Sequence, residues 1–350
     1  MRALALLLCL AAAARAERPI NPPAPEFPPA SAWLNATQLS LARMRDRKVV
    51  VVAFINPTSI NSVRVLPALN AWFDRYALHQ VMVIGVLTPD LNFHREPVWA
   101  KNLVKRYGIE YPVILDSDRR IWKAYGNEGW PALYLVDRKG RIVFDRLGEG
   151  GYKEFEQELR QALAELLGAE SLPAATDVVD PPHHECGTTT PEISLGARSG
   201  VRPSLALDTD ISMRRALIVE SRDGETAHHG RWDTEADGLR LATANKNQSA
   251  FFRVVYHAAQ ALAVMSPAES GRTRVFVKQD DLWLHEGNKG RDIQFDDDGR
   301  SFVVLDAPRL YDLTRDSVHA PHELFLIPER QGTVIHGLSF SDACVVTTLP

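Results

Sequence analysis

The pattern of apolar and polar positions divides the chain into two regions of different character. In the first region, β-branched runs at 49–56 and 81–87 predict buried parallel strands, and apolar residues at helical spacing follow each run. Such alternation is typical of an α/β domain. The predicted elements are strand 49–56, a helix from Ile60 that Pro67 interrupts, strand 81–87, helix 97–107, strands 112–115, 132–136 and 141–147, and helix 152–167 with Gly168 at its end. The turn-rich residues 137–140 predict a hairpin, and hence a mixed sheet.

The second region has short strand-like stretches separated by polar turns and no long amphipathic helix. This pattern predicts an all-β sandwich of the jelly-roll type. The predicted strands lie at 251–256, 261–265, 273–278, 282–285, 301–305, 324–327 and 333–340. Residues 169–190 contain prolines and a threonine run without apolar periodicity, so we interpret them as a linker. The expected organisation is an α/β domain at 32–168, this linker, and a β domain at 191–350.

Residues 1–31 are expected to lie outside both domains. Residues 1–16 combine a basic start, a leucine-rich middle and small residues at Ala14 and Ala16, which predicts a signal peptide cleaved after Ala16. A lipoprotein anchored through Cys9 is the alternative. The apolar run is shorter than the ~20 residues of a membrane span, so no transmembrane helix is predicted. Residues 17–31 are rich in proline and are expected to form an extended arm. We therefore expect a periplasmic or secreted protein.

Composition limits the possible partners. The chain has 350 residues, of which 45% are hydrophobic and 24% are charged, as in ordinary globular proteins. Its 40 basic residues are outnumbered by 44 acidic residues. Such a chain has no excess of positive charge to neutralise a phosphate backbone, so nucleic acid is not an expected partner.

Six short motifs carry a resemblance to a known family. They are FINPTSINSVRVLP (54–67), VIGVLTP (83–89), YGNEGWP (125–131), GEGGY (148–152), TPEISLG (190–196) and DAPRLYDL (306–313). With the predicted order of elements, they resemble the periplasmic part of the DipZ-type thiol-disulfide carriers, where a thioredoxin fold precedes a β-sandwich similar to carbohydrate-binding modules. The resemblance covers about residues 32–344 and implies that Trp130 and Pro131 form the family's cis-proline loop. DipZ-type proteins carry a membrane-embedded part ahead of this region, where this sequence has its predicted signal peptide.

The resemblance also implies that the redox centre of the family is missing. The family carries Cys-x-x-Cys at the start of the kinked helix, where the helix dipole lowers a thiol pKa and favours a nucleophilic thiolate. This sequence has Ser59 at the attacking position and Ser62 at the resolving position. A hydroxyl cannot form a disulfide, so we expect no thiol-disulfide exchange there. One side chain among Thr58, Ser59, Asn61 and Ser62 could instead cap the helix.

Three functions remain open for the chain. The leading hypothesis is an exported binding or scaffolding module that needs no cofactor and binds an extended polypeptide near Ser59 and Trp130, because the loop before a cis-proline can pair with an added strand. Trp130 and Pro131 could equally be retained for folding alone. The second hypothesis is a thiol-disulfide oxidoreductase that uses Cys186 and Cys344, or the cysteines of a partner. The third is a polysaccharide-binding protein.

A hydrolase built on Ser59 is not predicted. A serine nucleophile needs a base within hydrogen-bond reach, and the nearest histidines in the sequence, His79 and His94, belong to no motif.

Cys186 and Cys344 are the cysteines that remain after the predicted cleavage. They lie towards the two ends of the predicted β domain, where the first and last strands of a sandwich often meet, so we predict a disulfide between them. His183 and His184 precede Cys186 and are of metal-ligand type, but they lack the spacing of a metal site. We interpret them as solvated linker residues and predict no metal.

Two features of the second region have an alternative explanation without a ligand. Aspartates at 296–298 resemble part of a calcium loop, but alternating carboxylates and a distal glutamate are not in register, so a polar turn is expected. Aromatic side chains could stack on a sugar, although in alternating strands they are more often core residues. They are Trp232, Tyr256, Phe276, Trp283 and Tyr311.

Overall fold

The computed structural model describes residues 21–29, 32–180, 188–198, 205–206 and 222–342. The predicted signal peptide, His183, His184, Cys186 and Cys344 lie outside these residues. The cleavage, the disulfide and the solvated linker histidines therefore stay predictions.

Residues 32–167 form the predicted α/β domain. Its elements are β1 (Ala32–Leu34), α1 (Leu41–Met44), β2 (Val49–Ile55), α2 (Ile60–Tyr76), β3 (Val81–Leu87), α3 (Pro97–Arg106), β4 (Val113–Leu115), α4 (Arg120–Ala124), β5 (Ala132–Val136), β6 (Ile142–Leu147) and α5 (Tyr152–Leu167). The longer elements agree closely with their predicted bounds. Strand β1 and helices α1 and α4 were not predicted, because segments of three to five residues carry too little periodicity to be recognised.

The six strands form one mixed sheet in the order β1-β4-β3-β2-β5-β6. β2 is parallel to β3, and β3 is parallel to β4, whereas β5 and β6 run antiparallel to their neighbours. The carboxyl ends of β2, β3 and β4 and the start of β5 therefore meet at one edge of the sheet. This edge is called the loop edge below.

Side chains of β2 alternate between two buried faces of the sheet. Val49 and Val51 face a core that contains residues of α2, α3 and α5, including Trp72 stacked on Phe155 with ring centres 5.1 Å apart. Val50 faces the other core, which α1 and α4 cover. Burial on both faces explains why β2 is a continuous apolar run rather than an alternating one.

The proline-rich leader packs along the first domain instead of extending freely. The backbone N–H of Ala24 donates to the Gly140 carbonyl at 2.9 Å, and the N–H of Ile142 donates to the Pro22 carbonyl at 2.9 Å. The Phe27 side chain is 3% exposed. Residues 21–29 of the leader are thus anchored beside β6, whereas the extended arm at 17–31 as a whole stays a prediction.

The first half of the predicted linker also packs on the first domain. The Arg160 guanidinium donates to the Pro173 carbonyl at 2.6 Å. Thr176 donates to the Glu156 carboxylate through its backbone N–H and its hydroxyl, both at 2.7 Å. Proline-rich composition indicated a loop here, but it could not indicate where the loop lies.

The second domain is all-β, as predicted. Its strands are β7 (Ile193–Ser194), β8 (Leu205–Ala206), β9 (Thr226–His229), β10 (Trp232–Glu235), β11 (Gly238–Leu241), β12 (Phe251–Ser266), β13 (Thr273–Gln279), β14 (Leu282–Trp283), β15 (Ile293–Phe295), β16 (Ser301–Leu305), β17 (Arg309–Pro328) and β18 (Val334–Ser341). They form a 12-stranded sheet with the main order β10-β11-β18-β12-β17-β13-β16-β15. Every pairing is antiparallel except that of β8 with β9.

Several strand predictions in this domain were wrong in extent. Stretches 251–256 and 261–265 belong to the single 16-residue strand β12, which continues through a register shift between Ala258 and Gln260. Only 324–327 was predicted of the 20-residue strand β17, because polar residues dominate its middle. Strands β7 to β11 and β15 were missed. Buried and exposed residues do not alternate regularly in strands such as β10 and in the middle of β17, so apolar and polar residues do not alternate regularly there either.

We expect Glu156→Ala to lower the free energy of unfolding by about 2 to 3 kcal/mol, because it leaves buried donors without an acceptor. Glu156 is 4% exposed and accepts hydrogen bonds from Thr176 and from the Tyr76 hydroxyl. Burial and the bond to Glu156 raise the pKa of Tyr76 to about 12, so this hydroxyl keeps its proton. Urea denaturation would measure the change. The exposed Glu165→Ala on the same helix is the control, and equal effects of the two substitutions would contradict the assignment.

Candidate functional site

The loop edge brings together turns that are distant in the sequence. In the β2–β5 pairing Phe54 lies opposite Ala132, so the turn 56–59 after β2 is adjacent to Pro131 before β5. The parallel strands β3 and β4 end at Leu87 and Leu115, and the loops that follow them reach the same edge. Carboxyl ends of parallel strands are a common place for binding and catalytic residues.

Hydrogen bonds within the turn 56–59 fix the start of α2. The backbone N–H of Ser59 donates to the Asn56 carbonyl at 2.8 Å, which closes a β-turn with Pro57 at its second position. The backbone N–H of Asn56 donates to the Ser62 hydroxyl oxygen at 3.0 Å, and Ser62 is 0% exposed. Ser62 is therefore part of the structure that holds the turn.

The Ser59 hydroxyl contacts the second domain. Ser59 occupies the N-cap position of α2, but its side chain makes no capping hydrogen bond. Its hydroxyl instead donates to the Glu192 carboxylate at 2.9 Å, and the Ser339 hydroxyl donates to the same oxygen at 2.5 Å. Of the four side chains considered for capping, Ser59 thus does not cap the helix, because its hydroxyl donates to a carboxylate of the other domain.

Apolar and polar contacts around Ser59 join the two domains. The apolar cluster consists of Ile60, Leu262, Val264 and Leu310, with Val63, Leu91 and Phe93 packed against it. Beside this cluster, the backbone N–H of Asn92 donates to the Asp237 carboxylate at 2.6 Å. Arg198 donates to the Asn92 side-chain oxygen at 2.9 Å, and Arg64 donates to Ser341. The first turn of α2 therefore lies in a domain interface.

His94 lies beside the turn with both ring nitrogens engaged. Its Nδ1 accepts the backbone N–H groups of Asp90 at 3.1 Å and Leu91 at 3.2 Å, so this nitrogen is unprotonated. The proton is consequently on Nε2, which lies 3.4 Å from the Thr58 hydroxyl oxygen. The Thr58 hydroxyl in turn donates a hydrogen bond to Asn56 Oδ1 at 2.6 Å.

The arrangement of histidines does not support a hydrolase. His94 cannot accept a proton from Ser59, because Nδ1 is already an acceptor for two amides and Nε2 carries hydrogen. His79 ends the short 3-10 helix that follows α2, and the 17 residues of α2 span ~25 Å. It lies at the opposite end of the helix from Ser59.

The Trp130–Pro131 loop is a second, more open part of the loop edge. The peptide bond between these residues is cis. The half-buried Trp130 ring packs on Trp122 with ring centres 4.3 Å apart, and the Arg119 guanidinium lies 4.8 Å from the Trp122 ring centre and 5.7 Å from that of Trp130. The Pro131 carbonyl accepts the N–H of Gly148 at 2.8 Å. The backbone N–H and carbonyl of Trp130 have no hydrogen-bond partner in the part of the chain that the structure describes.

The other candidates from the sequence give no site in the described ranges. No group of three or more His, Cys, Asp or Glu side chains there is arranged to hold a metal ion. Asp296 accepts the backbone N–H groups of Asp298 and Arg300 at 3.1 and 2.9 Å, which is a polar turn, as expected. Tyr256, Phe276 and Tyr311 are at most 1% exposed core residues. Trp232 and Trp283 are half-buried against the core.

Three residues of this region were not singled out from the sequence. Glu192 lies in the TPEISLG motif, but nothing in the motif indicates a contact with Ser59. His94 was considered only as a base for Ser59, and Arg119 lies in a polar stretch without a motif. Each acquires its position from tertiary packing alone.

The amino-acid sequence is similar to those of known thioredoxin-like proteins. Residues 20–144 match the model of the AhpC/TSA family. The α/β domain belongs to this thioredoxin-like family. The chain is also 30% identical over 239 residues to the protein DipZ of Mycobacterium bovis, an alignment that covers 67% of this chain and 34% of DipZ. The resemblance to DipZ-type proteins is therefore confirmed. The chain spans about a third of the length of the DipZ proteins that it matches.

The AhpC/TSA domain has further relatives among thiol-disulfide oxidoreductases. It is 27% identical over 146 residues to the thiol-disulfide oxidoreductase YkuV of Bacillus subtilis, which covers 42% of this chain and 97% of YkuV. A solution structure of a thioredoxin-like protein in the oxidised form is 26% identical, covers 42% of this chain and 99% of its own, and has a TM-score of 0.39. Within the described residues, no helix has both the length and the apolar character needed to cross a membrane.

We expect the stability of the protein to fall in acid because of His94. Burial, and to a lesser degree the neighbouring His336, lower the pKa of His94 from 6.5 to about 3. The unfolded chain binds a proton near pH 6.5 that the folded chain excludes, so the free energy of unfolding falls by about 1.4 kcal/mol per pH unit between these two values. His94→Asn keeps an acceptor near the position of Nδ1 and removes the titration. Urea denaturation from neutral to acid pH should give a shallower pH dependence for this variant, and parallel curves would contradict the prediction.

Proposed function

We propose that this protein is a thioredoxin-like binding module that has lost thiol-disulfide exchange and binds an extended polypeptide at its Trp130–Pro131 loop. It needs no cofactor. Membership of the thiol-disulfide oxidoreductase family supports the location of the site, since Ser59 and Ser62 occupy the first turn of the helix that would carry the family's dithiol. The three cysteines of the chain are at other positions, Cys9, Cys186 and Cys344.

The unpaired main chain of Trp130 carries this proposal. An N–H and a carbonyl on one residue are the groups that add an extended peptide as a further strand, and the half-buried Trp130 ring offers apolar contact beside them. The dithiol position, by contrast, is engaged by Glu192 from the second domain. A partner can therefore meet the loop edge at Trp130 while the Ser59 hydroxyl stays hydrogen-bonded to Glu192.

The environment of Ser59 adds a second argument against redox chemistry. A carboxylate at hydrogen-bond distance disfavours the thiolate form of any cysteine placed at this position. The apolar cluster around Ile60 also keeps a large disulfide-bearing partner away from the first turn of α2. Glu192 thus opposes thiol-disulfide exchange electrostatically, and the apolar cluster opposes it sterically.

Export to the periplasm, with a periplasmic polypeptide as the partner, is part of the proposal and rests on the predicted signal peptide. The second candidate function is thiol-disulfide exchange through Cys186 and Cys344, and the names of the relatives favour it. Polysaccharide binding has weaker support, because three of the five candidate aromatic residues are core residues.

A disulfide-reductase assay separates the first two functions. We expect the mature wild-type protein to be inactive and Ser59→Cys with Ser62→Cys to be weakly active. Adding Glu192→Gln should increase the rate roughly ten-fold, because removal of the carboxylate lowers the pKa of the new thiol by about one unit. Glu192→Gln alone is the control and should be inactive. An active wild type whose activity disappears in Cys186→Ser would instead establish the oxidoreductase.

Trp130→Ala should weaken binding of a reduced, alkylated and unfolded protein roughly ten-fold, because the ring supplies the apolar contact of the loop. Calorimetric titration would measure the affinity. Trp283→Ala, which removes another half-buried tryptophan from the second domain, is the matched control and should bind like the wild type. Failure of the wild type to bind any unfolded polypeptide would overturn the proposal.

A further inference from the structure

We infer that the Trp130–Pro131 loop selects extended peptides that carry a carboxylate side chain, and that Arg119 is the residue that selects them. The inference rests on the proposed function and identifies the chemical class of its ligand. Nothing in the thioredoxin-like chemistry of the family requires an arginine here. Arg119 has a fixed backbone position, and its guanidinium has no carboxylate partner within the described residues.

The backbone at Arg119 is fixed by a buried carboxylate. Asp116 is 2% exposed and accepts the backbone N–H groups of Ile121 and Trp122, both at 2.9 Å, and the Thr88 hydroxyl at 2.9 Å. The N–H of Arg119 donates to the Asp116 carbonyl at 2.9 Å. Arg119 itself has a φ of 60°, a conformation that needs such support in a residue other than glycine. The start of the side chain therefore has a defined position.

The guanidinium is oriented but keeps most of its donors available. One nitrogen donates to the Pro89 carbonyl at 3.1 Å, and the group lies over the Trp122 and Trp130 rings. No carboxylate in the described residues forms an ion pair with it. Contact with the rings orients the planar group and limits the entropy lost on binding, which favours recognition of a carboxylate.

An extended ligand paired with Trp130 passes this guanidinium. The main-chain groups of Trp130 have no hydrogen-bond partner within the described residues, and the Trp130 ring centre lies 5.7 Å from the guanidinium carbon of Arg119. A carboxylate on the ligand can then accept charge-assisted hydrogen bonds from Arg119, which are stronger than bonds between neutral groups. A glutamine oxygen can accept from the guanidinium but carries no charge of its own, so its bonds are weaker, and a lysine ammonium has no acceptor for them.

Asp90 opposes this selection and so provides a second test of it. Desolvation by neighbouring protein atoms raises the pKa of the Asp90 carboxyl although the residue is exposed at the surface, and among the charges that lower this pKa Arg119 acts most strongly. The two side chains are therefore electrostatic neighbours without being an ion pair. An ionised Asp90 weakens the attraction of Arg119 for an acidic ligand, so its removal should strengthen acidic-peptide binding.

The test uses short extended peptides that differ only in a central glutamate, glutamine or lysine, acetylated and amidated so that only the side chain carries charge. Calorimetry on the full chain at low salt should show the glutamate peptide binding roughly 5- to 10-fold more tightly than the glutamine peptide. Arg119→Gln should abolish this preference, and Asp90→Asn should increase it. High salt should reduce the preference.

Arg120→Gln is the matched control, because it removes the same charge at the neighbouring position. Arg120 is exposed and pairs with Asp118. The variant should retain the preference. Equal binding of the three peptides, or tighter binding of the lysine peptide, would overturn the inference while leaving the proposed function in place. Absence of binding by all three would overturn both.

Discussion

The contact between Glu192 and Ser59 determines what the loop edge can do. One oxygen of the Glu192 carboxylate accepts hydrogen bonds from Ser59 at the start of α2 and from Ser339 in β18, so it joins the two domains at the first turn of the helix. The apolar cluster beside this contact adds to the association of the two domains, because it buries apolar side chains from both of them. A helix N-terminus that attracts negative charge is thereby occupied from within the chain.

The turn before α2 keeps its shape without cysteine. The backbone N–H of Asn56 donates to the Ser62 hydroxyl, and the Thr58 hydroxyl donates to the Asn56 side chain. His94, in the loop after β3, lies at hydrogen-bond distance from the Thr58 hydroxyl. These are hydrogen bonds between buried groups, and each would leave an unsatisfied partner if it were broken. A thioredoxin-like scaffold can therefore outlast its dithiol, since the geometry of the turn does not depend on a disulfide.

Local sequence patterns predicted most of the first domain, because its long elements are buried on faces with a clear period. Strand β2 and helix α5 illustrate this, with a continuous apolar run in one and a regular stripe in the other. Helix α4 was not predictable in this way, as five residues hold little more than one turn. Most of strand β17 was not predicted, because its middle is polar and partly exposed and so lacks a regular apolar alternation. Motifs identified the positions of Ser59 and Trp130, but not their neighbours.

Glu192, His94 and Arg119 could not be placed from the sequence for a common physical reason. Each acts across a separation that only tertiary packing closes, as Glu192 and Ser59 are 133 positions apart. The result is a loop edge with two unlike halves. At Ser59 the second domain satisfies the exposed hydroxyl, whereas at Trp130 the main chain and the neighbouring guanidinium retain donors and an acceptor without partners in the described residues. Because unsatisfied polar groups next to an apolar ring gain most from a ligand that supplies both kinds of contact, the Trp130 half is the part of this edge for which we propose binding.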